Sequence, residues 1–572
     1  MKRASVHAHI RRTGLAAGVL GITVFLAVFL IWPLAHVFRH ACVDESGMTT
    51  LYLRQLFSDP LQRAAILRSL TIAALVTTAC LGLATPLAWL FARYRFAGKE
   101  IFAGLLLMPL LMPPFVGALG MKMVFARGGA LSTLLMQLGV TDAPVDWLGS
   151  VPLLGIIVLE TLHLFPILHL NLVAAFANID PNLEETAANL GASPWRVFRR
   201  VTLPLAGPGL FAGLVLVFIW SFTELGTPLV FGVRRVVPVM IFDAVNEMGT
   251  HPMGYAQVVL VLVFTVAGFW LSKRLTRSRR HVATLGRMSV ASAPRRLSGL
   301  RTVLVCSLMS IVLVLAVLPH ISVVLLSVSR RWFLTVLPEG YTLEFFYRAL
   351  GSDLTQTALR NSLALSVAAL VITVCVGFAL AWICVRERFA GADGLDALAM
   401  MPLAVPGVVL AFGYMGTYAG AFPGSMLDPR TNPMLLLAVS YAVRRLPYML
   451  RAAHAGLEQI TPSYEEAAAN LGAPAWRVIW RITRPLITAN LLAGGILCFA
   501  FSMLEVSDSL ILAQSEAFYP LTKAIYVLMD GLENGLNVAS ALGVWAMALL
   551  AAALLWAASL LGRRMGEMFR AG

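Results

Sequence analysis

Glu184-Glu185-Thr186-Ala187-Ala188-Asn189-Leu190-Gly191-Ala192 recurs in the second half of the chain as Glu465-Glu466-Ala467-Ala468-Ala469-Asn470-Leu471-Gly472-Ala473. Asp180-Pro181 ahead of the first copy makes an N-cap and N1 pair, and Thr461-Pro462 opens the second. The paired glutamates then lie at the positive end of a helix macrodipole. Small residues follow, so another surface can approach closely, and Gly191 or Gly472 permits a turn into a second short helix. That helix carries Trp195, Val197 and Phe198, or Trp476, Val478 and Ile479, with arginines on its other faces. The pattern predicts a polar two-helix elbow over about 180–203 and again over about 461–484.

Outward from the elbows the chain is apolar. Of its 572 residues, 59% are hydrophobic and 13% charged, and the mean hydropathy is +0.80, which places it in the membrane class. Crossing a hydrocarbon core takes about 20 helical residues, and runs of that length recur throughout. Twelve spans are expected, at 14–38, 67–92, 101–125, 150–175, 204–224 and 254–272, then 301–327, 361–385, 397–420, 433–453, 486–508 and 538–562. The apolar stretch after Lys2, Arg3, Arg11 and Arg12 is too long for a signal peptide and reads as the first span.

The duplication extends beyond the elbows. Leu87-Ala88-Trp89 with Arg95-Phe96-Ala97-Gly98 recurs as Leu380-Ala381-Trp382 with Arg388-Phe389-Ala390-Gly391, and Met108-Pro109-Leu110 as Met401-Pro402-Leu403. The expected fold is therefore an all-α polytopic membrane protein of two parallel six-helix repeats. The halves run over 1–272 and 301–572, joined by a basic linker at 273–300. An even span count gives both halves one orientation and places the path between them.

Arginines and lysines flank the spans rather than gathering on one face. Lys273, Arg274, Arg277, Arg279, Arg280, Arg287, Arg295 and Arg296 in the linker, and Arg563, Arg564 and Arg570 at the tail, put the linker and both termini in the cytoplasm by the positive-inside rule. The net charge of +15 is thereby accounted for without nucleic acid. The six cysteines show neither a disulfide framework nor zinc spacing.

An elbow anchored to membrane helices suits either transmission of a push from a cytoplasmic partner or a helix lying on the bilayer. The spacing Glu-Ala-Ala, three residues, Gly, nine residues, Ile-x-Leu-Pro is matched by Glu185, Ala187, Gly191, Val201, Leu203 and Pro204, and by Glu466, Ala467, Ala468, Gly472, Ile482 and Pro485. It resembles the cytoplasmic coupling loop of binding-protein-dependent ABC importer permeases. Thr186 and Arg484 depart from it. The resemblance covers nearly the whole chain and is to fused permeases of the ferric-iron type, whose relatives include thiamine and 2-aminoethylphosphonate permeases.

The resemblance implies a type I importer permease fold in a bacterial inner membrane. It implies two copies of a cytoplasmic ABC ATPase on the elbows and a periplasmic or extracellular solute-binding protein outside. No cofactor is expected on this chain, ATP and magnesium belonging to the ATPase, and no enzyme activity: the sequence has no Gly-x4-Gly-Lys-Ser/Thr phosphate loop. Ferric iron is the leading solute. Thiamine, 2-aminoethylphosphonate or another small solute is the alternative, and an ion-coupled carrier is the rival mechanism.

Ionisable groups inside a membrane face a cavity or a partner. Glu224 and Glu505 occupy equivalent places late in the fifth span of each half, Asp508 follows one turn on, and Arg444 and Arg445 lie in the tenth span. All five are candidates for the translocation path, with the arginines expected to pair with carboxylates or snorkel. Glu160, His163 and His169 lack the arrangement of a metal site. Pro109, Pro113, Pro114, Pro402 and Pro406 are expected to kink the third span of each half.

Overall fold

The computed structural model describes residues 15–44, 47–148, 152–248, 252–283, 295–387, 389, 391–531 and 534–570. Among the described residues the regular structure is helical apart from two pairs of two-residue strands and one isolated bridge. In the first half, α1 (Leu15–Cys42), α2 (Pro60–Arg93), a broken third span, α3 (Lys99–Leu105) and α4 (Pro114–Phe125), then α5 (Pro152–Ala177) lead to the elbow helix α6 (Pro181–Asn189). Next come α7 (Leu203–Phe222), two short helices α8 (Gly226–Val230) and α9 (Val237–Ala244), and α10 (Met253–Ala283). The second half repeats this order. Its helices are α11 (Leu300–Val328), α12 (Asp353–Trp382), α13 (Ala392–Met400), α14 (Gly407–Ala421), α15 (Met434–Gln459), α16 (Ser463–Asn470), α17 (Arg484–Met503), α18 (Ser507–Leu512), α19 (Leu521–Met529) and α20 (Gly535–Arg570).

Among the described residues nine helices are long and apolar enough to cross a membrane, or up to eleven if each bent pair counts as one span. Helix α15 stands outside that set although it has 26 residues, because Arg444, Arg445 and Arg451 make it too polar. With it the expected twelve are present. Part of the expected linker lies outside the described residues, and Lys273–Ala283 continues α10 as helix.

The third spans are more than kinked. Lys99–Leu110 and Pro114–Gln137 meet at 94°, and Ala392–Leu403 and Gly407–Ala421 at 100°. Pro109 and Pro402 each open a 3-10 turn, and Pro113 and Pro406 then hold extended backbone at the break. Proline supplies no amide hydrogen, so the helix cannot be closed across these positions.

The halves exchange their first helices. Helix α1 packs on its own α10 and on α14 of the other half, while α11 packs on its own α20 and on α4. Glycine makes both crossings close. A Cβ on Gly120 would lie 2.5 Å from the Pro319 carbonyl oxygen, and one on the equivalent Gly413 would lie 3.3 Å from Pro33, the small-residue contact expected between membrane helices. A π-helical turn at Ala27–Ile31 disturbs the backbone ladder of α1. There Tyr418 donates to the Val28 carbonyl at 2.8 Å and Tyr414 to the Phe29 carbonyl at 2.7 Å, satisfying acceptors that lipid would leave unpaired.

Helices α8, α9 and α19 fill stretches that carry no span in the sequence, and α18 starts at the last two residues of the expected span 486–508. They are substantially buried, and their starts are tied down. Ser69 Oγ accepts from the Val237 amide at 2.9 Å, and Ser362 Oγ from the Leu521 amide at 2.7 Å.

Candidate functional site

Both elbows are helical and turn where glycine permits. The Asp180 carboxylate accepts from the Asn182 amide at 2.9 Å and caps α6. Helix α16, of the other elbow, begins one residue after Pro462, which is itself the cap. Gly191 has φ +83 and Gly472 φ +85. Ala192 N donates to Ala187 O at 3.1 Å and Gly191 N to Ala188 O at 2.9 Å, with matching bonds of 3.0 and 2.9 Å at Ala473 and Gly472. This pairing satisfies the last carbonyls of each elbow helix through a left-handed residue.

Beyond the turn each elbow has a second short helix, Pro194–Val197 or Ala475–Val478, which does not stop ahead of Pro204 or Pro485. It runs through a π-helical turn, Phe198–Thr202 or Ile479–Thr483, directly into α7 or α17. The prolines fall in the first turn of those helices, where a missing amide hydrogen is tolerated. Glu185, Glu466 and Ala467 are exposed on the elbows, whereas Ala187 and Ala468 are partly covered. Leu190 and Leu471 are 84% and 91% exposed, and Trp195 and Trp476 are 68% and 62% exposed. Each elbow thus presents an apolar tip.

A cavity of about 200 Å³ lies between the halves, where the two broken third spans meet. Met112, Pro113 and Pro114 line it from one half and Val405, Pro406 and Gly407 from the other. Irregular backbone at membrane depth is tolerated where it borders such a space. Glu224 and Glu505 also line it. They stand just past the ends of α7 and α17, in the breaks before α8 and α18, rather than inside the fifth spans as expected, and Asp508 sits in the first turn of α18.

The two halves treat these carboxylates differently. Arg444 Nη1 lies 2.5 Å from Glu505 Oε1 and 3.2 Å from Asp508 Oδ2, and Arg445 pairs with the other Glu505 oxygen. Arg445 also donates to the Phe501 carbonyl at 2.6 Å, and Ser440 donates to Asp508 at 2.9 Å. Room for the Arg444 guanidinium comes from Gly407, whose Cβ would collide with it. In the first half His163 and Leu164 stand where the arginines would be. Glu224 instead accepts from the amides of Gly226 at 3.1 Å and Thr227 at 3.3 Å, and no salt bridge reaches it among the described residues. Behind it, buried Glu160 accepts a hydrogen bond from Ser221.

Glu160, His163 and His169 do not converge. His163 Nδ1 is 2.7 Å from the Pro109 carbonyl, His169 packs edge-on against Phe91, and no cluster able to hold a metal ion occurs among the described residues.

A family model described as the binding-protein-dependent transport system inner membrane component matches residues 84–281 and again 374–567. The chain belongs to that family. It is an ABC importer permease, with two copies of the permease unit in one polypeptide. The ferric transport system permease protein of Actinobacillus pleuropneumoniae is 26% identical over 536 residues, 91% of this chain and 75% of that protein. The molybdenum transport system permease protein of Haemophilus influenzae is 32% identical over 223 residues, 37% of this chain and 95% of that protein. One half of this permease thus corresponds to nearly the whole of that shorter relative. A bacterial ABC transporter that imports the acidic polysaccharide alginate aligns with TM-score 0.33 and 17% identity, over 45% of this chain and 94% of that one.

The sequence reading missed the contacts of Arg93 and Arg386, each of which reaches an elbow glutamate. Arg93 ends α2, and Arg386 lies in the π-helical turn that follows α12.

Proposed function

We propose that this permease carries ferric iron inward from a solute-binding protein on the side opposite the elbows. Two copies of a separate ATPase seat on the elbows, drawing them together as ATP binds. Glu185, Ala187, Gly191 and Pro204, with Glu466, Ala467, Ala468, Gly472 and Pro485, form the ATPase-coupling surface, and Glu224, Glu505, Asp508, Arg444 and Arg445 surround the path. The elbows, linker and both termini are cytoplasmic in a bacterial inner membrane. Supporting the coupling reading is the repeated Schellman turn with its exposed Leu190–Trp195 and Leu471–Trp476 tips, an apolar surface on an otherwise polar loop that marks a protein-contact site.

The iron reading rests on a relative named for ferric transport that aligns along 91% of the chain. The cavity agrees with it, because Arg444 and Arg445 are both taken by carboxylates while Glu224 has no ion pair among the described residues. Such a lining favours a cation over an oxyanion. Another small solute carried by the same mechanism is the second reading, since the shorter relative is named for molybdenum transport.

The test is reconstitution in proteoliposomes with the ATPase and with binding proteins loaded in turn with ferric iron, thiamine or 2-aminoethylphosphonate. Iron-loaded protein is expected to stimulate hydrolysis and uptake of labelled iron. Stimulation by another solute alone refutes iron. Uptake driven by an ion gradient with no ATPase refutes the coupling mechanism as well.

A further inference from the structure

The geometry points to Glu184 and Glu465 as transmission residues that lock each elbow to two membrane helices of its own half, an inference that rests on the elbows being the ATPase-coupling surface. Each carboxylate is bonded from two directions. Arg93, the last residue of α2, places Nη2 2.7 Å from Glu184 Oε1, and Thr202, the last residue before α7, donates to the same oxygen at 2.6 Å. In the second half Arg386, just beyond α12, places Nε 2.8 Å from Glu465 Oε2, and Thr483, just before α17, donates to Oε1 at 3.0 Å. Arginine, glutamate and threonine occupy equivalent positions in the two repeats, so the arrangement occurs twice independently.

These are not loose surface pairs. The Arg93 and Glu184 side chains are 17% and 20% exposed, and Arg386 and Glu465 are both 11% exposed. An exposed pair would contribute little, whereas a partly covered pair with a third hydrogen bond fixes geometry. The elbow helix is therefore held at its first turn by α2 or α12 and, through the threonine, by the start of α7 or α17. A push on the elbow tip cannot hinge freely about Gly191 or Gly472 without breaking these contacts. It passes instead into α7 and α17, whose far ends lead to Glu224 and Glu505 at the cavity.

The two latches differ in strength. Arg386 also donates to the carbonyls of Leu457 at 3.0 Å and Ile460 at 3.2 Å, at the end of α15. Cationic charge at a helix C-terminus is favourable there. Among the described residues Arg93 bonds only to Glu184, and its Nε is buried with no partner among them. The second half is the more rigid lever.

The experiment uses the full chain reconstituted with its ATPase. Glu184→Gln and Glu465→Gln are each compared with wild type for ATPase retained on purification and for solute moved per ATP hydrolysed. Retention is expected to be unchanged, while transport per ATP falls by roughly three- to thirty-fold, the range found for mutations along a coupling route, more for Glu465 than for Glu184. The swap Arg93→Glu with Glu184→Arg restores most of the ratio, and Thr202→Ser preserves what Thr202→Val loses. An unchanged ratio in both glutamine variants overturns the inference, as does a loss of transport that only follows loss of bound ATPase. Failure of the wild-type chain to retain any ATPase instead removes the coupling reading itself.

Discussion

Replacing Gly191 and Gly472 by valine separates backbone strain from lost contact at the elbows. At φ +83 and +85 both residues are in the left-handed region, and no heavy atom lies within 4 Å of a Cβ built at either position. A side chain therefore meets open space, and the cost is conformational alone. For an L-residue other than glycine it is about 1–2 kcal/mol. The free elbow relieves this strain by leaving the turn, and docking must restore it, so apparent ATPase affinity falls by the same free energy. At about 1.4 kcal/mol per factor of ten, one substitution weakens binding by roughly 5- to 30-fold, and the pair, acting at separate elbows, by the product. Asparagine tolerates this region and serves as the control. Titration of labelled ATPase onto permease in lipid nanodiscs is expected to rank wild type, the asparagine pair and the valine pair in that order. Equal weakening by asparagine and valine would place the effect in lost contact, and a valine pair that binds like wild type would refute the strain argument.

Trp195→Ser and Trp476→Ser remove exposed rings, so thermal stability should hold while ATPase affinity drops by about 2 kcal/mol, as at an interface hot spot. Equal affinity in a binding titration counts against the elbow tips as a docking surface. Gly120→Ala forces a methyl against the Pro319 carbonyl, and overpacking of about 1–3 kcal/mol is expected; Gly413→Ala, with its nearest atom at 3.3 Å, should cost less, and thermal unfolding in detergent tests the order. Glu505→Leu leaves buried Arg445 with only the Phe501 carbonyl among the described residues, a loss of about 3–5 kcal/mol for a broken buried pair. Glu224→Gln breaks no ion pair and should leave stability nearly intact while suppressing iron uptake; the reverse ranking of the two variants would show that Glu224 is the structural carboxylate.

How far the sequence could be read follows from the range of the interactions. The elbows were legible because their determinants are local: a cap, paired glutamates, small residues and a glycine needing positive φ all fall within a dozen positions. Duplication made the reading safer, since two copies with diverged neighbours kept the same turn. The third spans were half legible. Proline marks an interruption, yet the bend of 94°, with three prolines, or 100°, with two, also involves a 3-10 turn and a cavity that receives the broken backbone. Hydropathy scores residues and not their partners. A length-and-charge test alone leaves α15 too polar to rank as a span, although the sequence marks one at 433–453 and Arg444 and Arg445 are neutralised by Glu505 and Asp508; the expected fifth spans run over Glu224 and Glu505, where the helix has already ended. The latches were invisible for the opposite reason. Arg93 and Glu184 each look like ordinary helix-terminal charges, and only folding brings them to 2.7 Å. What the sequence did hold was the coincidence of arginine, glutamate and threonine at matched places in both repeats. In a duplicated membrane protein, a charged residue kept in both copies at a helix end therefore merits a search for the partner kept with it.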